Sequence, residues 1–498
     1  MLRKLTKSAW LLLGLAAAQP AGAFTMWGPL EAWQTADLDY GLRYYYSLVS
    51  PTSICQLGTT ENGGPKNFGE GSRLTTPIIT YGFDMTFLDY FGEQGVAAVD
   101  SAMNVLNALP PASSININNY LTDGNEQINY TAEAGDMLDL KTVVLWLMIE
   151  HMGLLGETHV YDLASRVLPS GAPACGYDYL VIVRNYDPVT WDPSTYVNGR
   201  QYGYFIWDGC PAGVGVGDAI EIPSDTEVTR FTAVATPEAI QLGGYYLGLS
   251  RDDVGGLKYL YSKNNFILQG LDSNSVALPF TSSWMPVNAT NSVSGISNFI
   301  GVLGGVEKIT FVKVYFDPLL GTNFNPIIYN YKIPYINTNG QYSQLSVQRT
   351  VNTPDILFTA ADMDPTAYVL GDTALTRTNA FILSPYASPG GGITGSTIVP
   401  NMLVTLNDVG ALYYNQNPYF MDSSTNNGYP IFIWGSFDGT TNAPIVFPTG
   451  TSIEYLIEQI LEGGASVPQG SWAPVLNNNT NTGTGTGTGA GAGVGAGG

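Results

Sequence analysis

The segment Leu249-Ser250-Arg251-Asp252-Asp253-Val254-Gly255-Gly256-Leu257-Lys258-Tyr259-Leu260-Tyr261 reads as a helix opened by Asp252. Two carboxylates at its start meet the positive end of the helix dipole. Val254, Leu257 and Leu260 recur at three-residue steps, which turns one face toward a core. A second helix is expected over residues 136–155, where Leu140, Val143, Val144, Leu147 and Leu154 form a broad apolar face and Gly156 is the terminator. A third runs through Val96, Val99, Met103 and Leu106 and stops at Pro110-Pro111, because proline cannot continue a helix. A short strand over 78–83 precedes it.

Around these helices the pattern is that of strands. Residues 177–185 read as a buried strand, and Asn198-Gly199 within 196–202 is a hairpin turn. A glycine-rich stretch, 209–217, follows. After about residue 266 come strands over 308–316, 327–336, 342–349, 356–359, 402–406 and 430–434, with Asn339-Gly340 as another hairpin turn. Short strands broken by Gly, Asn and Pro suggest a β-sandwich, and 454–461 suggest a terminal helix. The expected organisation is a leader over 1–23, an α/β domain over 24–265 with a β-rich insertion, a sandwich-like domain over 266–465 and an Asn/Thr/Gly tail over 466–498. Such a tail cannot bury apolar area and is expected to be disordered.

The first residues carry an address. Arg3, Lys4 and Lys7 precede a short apolar run over 9–18, and Ala21-Gly22-Ala23 is a small-residue cleavage site before Phe24. This is the pattern of a secretory signal peptide, too short to span a membrane. Secretion to the extracellular space or cell surface is the expected localisation, without a transmembrane anchor. Removing the leader takes the formal net charge from −22 to −25. That acidity argues against nucleic acid as a partner, since phosphate binding needs clustered Lys and Arg. With only 12% charged and 45% hydrophobic residues, the chain has the composition of a packed protein. Three cysteines, Cys55, Cys175 and Cys210, leave one unpaired in an oxidising compartment. Cys175 and Cys210 flank one β-rich segment and are the favoured bridge.

Three segments carry a resemblance to the matrixin branch of the metzincin proteases. Thr80-Tyr81-Gly82-Phe83-Asp84 with Phe87 resembles the family's first strand, 95–106 its first helix, and the opening segment its last. The resemblance implies an α+β fold whose first region is metzincin-like. The family's zinc motif, His-Glu-x-x-His followed by another His, places two imidazoles one turn apart on a helix face. Here the chain reads Trp146-Leu147-Met148-Ile149-Glu150-His151-Met152-Gly153-Leu154-Leu155-Gly156-Glu157-Thr158-His159. His151 would need a partner at Leu147 or Leu155, Glu150 precedes the histidine, and His159 lies beyond Gly156. With only two histidines in the chain, no three-histidine zinc site forms within it. No catalytic residue is carried over, and the reading leans away from an enzyme. The chain also resembles a group of secreted proteins of environmental bacteria that bring no function with them. That likeness runs through 87–97, Arg184-Asn185-Tyr186-Asp187-Pro188-Val189-Thr190, Tyr196-Val197-Asn198-Gly199, 308–312 and Trp434-Gly435-Ser436-Phe437-Asp438-Gly439.

The remaining candidates are weighed by residue type. Glu150 and His151 are an acid–base pair by chemistry, but adjacent helix residues do not share a face. Asp362 and Asp364, and also Asp252 and Asp253, are the candidate calcium ligands, against turn and cap roles, since neither pair sits in an EF-hand loop. No other cofactor is expected. Pro389-Gly390-Gly391-Gly392 lacks the lysine of a phosphate loop. Trp191, Trp207, Trp284 and Trp434 are candidates for stacking on sugars, although aromatics near strands belong more often to a core. Asn129-Tyr130-Thr131 and Asn288-Ala289-Thr290 match glycosylation sequons. The expected function is a non-catalytic surface or extracellular-matrix protein, self-assembling or adhesive. A diverged extracellular metallo-hydrolase and a carbohydrate-binding protein are the alternatives, with self-association or polysaccharide as the contacts.

Overall fold

Local chemistry sets the helix boundaries in a computed structural model that describes residues 23–29, 63–122, 125–155, 160–167, 169–171, 176–207, 218–224, 234, 242–278, 296, 299–315, 325–337, 339–361, 381–383, 396–406 and 433–448. Helix α1, Met85–Asn107, begins where the Asp84 carboxylate accepts from the Phe87 amide. It bends at Gly92, whose φ of 59° and ψ of −162° are open to glycine and strained for other residues. The helix expected over 95–106 is its second piece. Helix α2, Tyr130–Ala134, is capped by Asn129. Helix α3, Leu140–His151, is shorter than the expected 136–155. Asp139 caps it, Met137–Asp139 before it is a strand, and Gly153, at φ 102°, turns the chain into the strand Leu154–Leu155. Being apolar on nearly every side, α3 is buried all round. Helix α4, Arg251–Tyr261, buries Val254, Leu257 and Leu260 as expected, and its cap is Ser250, one residue before it.

The fold is α+β, with strands dominant and divided among several sheets. At its centre lies a parallel sheet in the order Thr310–Lys313, Ile78–Phe83, Ile356–Thr359, Met402–Thr405. The strand Ile78–Phe83 is buried apart from its first residue, so both of its edges need partners. Those partners come from beyond residue 300. The strand Met137–Asp139 likewise pairs in parallel with Ile433–Ser436. One apolar core runs through Phe24, Ile79, Phe87, Val144, Leu260, Phe358, Val404 and Trp434. This corrects the expected division at 265/266, because the main sheet and core take residues from both sides of it.

The second half keeps one sheet to itself. Ile267–Gly270, Ile300–Leu303, Ile327–Ile336, Tyr342–Val351 and Ser275–Ala277 form a five-stranded antiparallel sheet in that order, over a core of Leu271, Leu303, Ile333, Leu345 and Val347. Buried Arg349 ties it to the parallel sheet. Its guanidinium reaches Asp272 at 3.3 Å and Asp355 at 2.5 Å, and Asp355 Oδ2 also accepts from the Thr80 amide at 2.8 Å.

Two β-ribbons lie outside these sheets. Tyr161–Val167 pairs with Asp178–Val183, and Tyr196–Val197, Arg200–Trp207 and Asp218–Pro223 form a three-stranded meander. Asn198 and Gly199 make its first turn at φ 44° and 81°, as the Asn-Gly pair predicts. The strand expected to be buried over 177–185 instead leaves Asp178 and Leu180 exposed, because only one of its faces is covered. Among the described residues no helix is long and apolar enough to cross a membrane.

Candidate functional site

The densest group of candidate residues surrounds the start of α4. Ser250 and Asp253 form a reciprocal capping box: the Asp253 amide donates to Ser250 Oγ at 3.2 Å, and the Ser250 amide donates to Asp253 Oδ2 at 2.8 Å. The Val234 amide also donates to Asp253 Oδ2, at 3.2 Å. Asp252 turns the other way. Its Oδ2 accepts from the amides of Ala23 and Asn198, each at 2.6 Å. Burial pushes the Asp252 carboxyl up to about 8; Asp253 adds to the shift, and the two amide bonds and Arg251 oppose it. The pair therefore caps and anchors a helix, which is the reading preferred over calcium. Among the described residues no group of three or more His, Cys, Asp or Glu side chains is placed to hold a metal ion.

Glycine lets α4 sit deep. A Cβ on Gly255 would lie 2.3 Å from Pro188 Cβ, and one on Gly256 would lie 2.6 Å from Leu154 Cδ2. At the other end, buried Arg73 donates to the carbonyls of Leu260 at 2.5 Å, Asn265 at 2.9 Å and Leu303 at 2.7 Å, closing the helix C-terminus. Burial lowers its guanidinium to about 10.

Glu150 and His151 are both buried at the end of α3, and His151 Nε2 lies 3.1 Å from the Pro400 carbonyl. Leu147 and Leu155, the positions where a second zinc ligand would stand, are buried leucines. Asp362, Asp364, His159, Cys55, Cys175, Cys210, Trp284, Asn288, the glycine loop at 389–392, the leader over 1–22, the expected helix at 454–461 and the tail over 466–498 lie outside the described residues.

Two residues with alternative surface readings lie inside the fold. Trp434 is a core residue, edge-on to Phe91 at 6.4 Å, and so cannot stack on a sugar. Asn129 is fully buried. Its Oδ1 caps α2 and its Nδ2 donates to the carbonyls of Gly439 at 2.6 Å and Asn442 at 2.8 Å, which leaves no room for a glycan. Trp191 is half-buried in a cluster with Phe24, Phe68 and Tyr259, where Phe68 and Tyr259 lie 4.4 Å apart. Trp207 ends the strand Arg200–Trp207.

Arg73 and the Arg349–Asp272–Asp355 group carry no signal in the sequence, and Ala23 and Asn198 read there only as part of a cleavage site and of a turn. The Ser250–Asp253 box is a structural finding beyond the sequence reading, which took the Asp252-Asp253 pair as the helix start. Comparison with protein-family models, with curated proteins and with solved structures finds no match.

Proposed function

We propose that the protein is a secreted, non-catalytic surface or extracellular-matrix protein that associates with copies of itself through its two β-ribbons. The observation that carries this reading is the exposure of apolar side chains on both faces of those ribbons, Tyr204 on one face of its sheet and Phe205 and Ile222 on the other. Leu180, Tyr204, Phe205 and Ile222 are between 43 and 56% exposed. Tyr161 lies against Tyr204 where the two ribbons meet, ring centroids 4.5 Å apart and tilted at 45°. Exposed apolar residues mark contact surfaces, and strand edges offer backbone groups to another chain.

The polar candidates support the same reading. Asp252, Asp253, Glu150 and His151 are buried in helix ends, where they hold the fold together. The leader supports secretion. We take the first half as a diverged metzincin-like scaffold, supported by the order of Ile78–Phe83, α1 and the late α4, with the antiparallel sheet as the sandwich-like part. Adhesion to extracellular polysaccharide is the second reading, favoured by exposed Phe68 beside Trp191 and Tyr259.

Hydrogen exchange at low and high protein concentration tests the proposal. Amides of Asp178–Val183 and Arg200–Trp207 should gain protection as concentration rises, and Phe205→Ser should abolish the gain. Protection independent of concentration would contradict it.

A further inference from the structure

The central parallel sheet ends in the short strand Thr310–Lys313, which has no second strand on its outer side among the described residues. Along a strand, successive residues turn their amide and carbonyl to opposite sides. The Thr310 and Val314 amides donate to the carbonyls of Pro77 and Tyr81, each at 2.8 Å, on the side of Ile78–Phe83. Phe311 therefore turns its pair outward, and there one side chain meets both groups. The Phe311 amide donates to Asn107 Oδ1 at 2.7 Å, and Asn107 Nδ2 donates to the Phe311 carbonyl at 2.9 Å. A carboxamide carries an acceptor and a donor side by side. Asn107 thus stands where the facing residue of an antiparallel strand would exchange both bonds.

Neighbouring contacts hold it there. Asn107 is the last residue of α1, and its own carbonyl accepts from Lys308 Nζ at 2.9 Å. Asp100, about two turns earlier on the same helix face, meets Lys313 Nζ at 2.5 Å and accepts from the Tyr81 hydroxyl at 2.8 Å. We infer that Asn107 closes this edge against a second copy of the chain, and so keeps contact between copies out of the central sheet. Backbone groups left open on an edge strand are a template for pairing. Two copies of the freed edge could pair antiparallel about a twofold axis, each Phe311 exchanging its bonds with the other. The inference goes beyond the ribbon reading and does not rest on it.

Sedimentation velocity of Leu180→Ser/Phe205→Ser, with and without Asn107→Ala, tests the closure. Adding Asn107→Ala should produce a dimer that grows with concentration; the same boundary with and without it overturns the inference. Hydrogen exchange of the Phe311 amide, read by fragmentation mass spectrometry, locates the contact. In the wild type this amide should be protected, and exchange at the unfolded-chain rate overturns the closure. In dilute Asn107→Ala it should exchange about tenfold faster than in the wild type, the equivalent of one lost hydrogen bond, and regain protection as the dimer forms. A dimer in which Phe311 stays unprotected also overturns the inference. Where Asn107→Ala does not fold, Asn107→Leu, which keeps the volume and loses the amide, takes its place in both measurements. Association of Leu180→Ser/Phe205→Ser with Asn107 intact counts against the ribbon reading alone, so the two proposals fail separately.

Discussion

At Gly255 two effects of opposite sign can be compared. Alanine is favoured over glycine in a helix interior by about 1 kcal/mol, yet its Cβ would meet Pro188 at 2.3 Å. Overpacking a rigid contact costs about 1–3 kcal/mol, and so close an approach belongs at the upper end. Gly255→Ala should therefore lower the urea midpoint; a raised midpoint would show that Pro188 yields. Asp139 offers a test by pH. Burial raises its carboxyl to about 6 against the opposing bonds from Thr142 and Phe437 and the charge of Lys141. A raised folded-state value means that stability from this group is complete below its unfolded value and is lost as pH rises through the folded one. A shift of about two units corresponds to about 3 kcal/mol. Asp139→Asn should flatten the fall in stability between about pH 4 and pH 6, measured by urea titration at several pH values. An unchanged slope would contradict this assignment.

Among elements, the clearest dependence is that of the antiparallel sheet on Arg349. Its guanidinium is fully buried between Asp272 of that sheet's own half and Asp355 beside the parallel sheet. Removing one partner of a buried ion pair costs about 3–5 kcal/mol, since the other charges are left uncompensated. Arg349→Met should lose that much stability by chemical denaturation, and a loss below about 1 kcal/mol would mean the sheets are joined by apolar packing alone. Elements whose signals are local were legible in the sequence. Ile78–Phe83, Ile327–Ile336 and Ile356–Thr359 follow from their apolar patterns, and Asn198-Gly199 from turn chemistry. Their pairing was not legible. No local signal tells Ile78–Phe83 that its neighbours are Thr310–Lys313 and Ile356–Thr359. The site was hidden for the same reason: Asp252 reads as a helix start, while its partners stand 229 and 54 residues away.

For the whole molecule, the shared parallel sheet means that the two halves stabilise each other. A chain ending at residue 265 would leave Ile78–Phe83 with both edges open and strip the core of Phe311, Phe358 and Val404. Such a fragment should show no cooperative thermal transition by circular dichroism, whereas the full mature chain should; a cooperative transition in the fragment would restore a division at 265/266. The carboxylates and the histidine that suggest chemistry lie inside this core, and the ribbons with Leu180, Tyr204, Phe205 and Ile222 lie outside it. The proposed contact between copies is accordingly placed on the ribbon surface. Sedimentation velocity of the mature protein across a wide concentration range tests that claim most directly. The account predicts species larger than the monomer that grow with concentration and disappear in Leu180→Ser/Phe205→Ser. A single monomer boundary for the wild type at every concentration would contradict it.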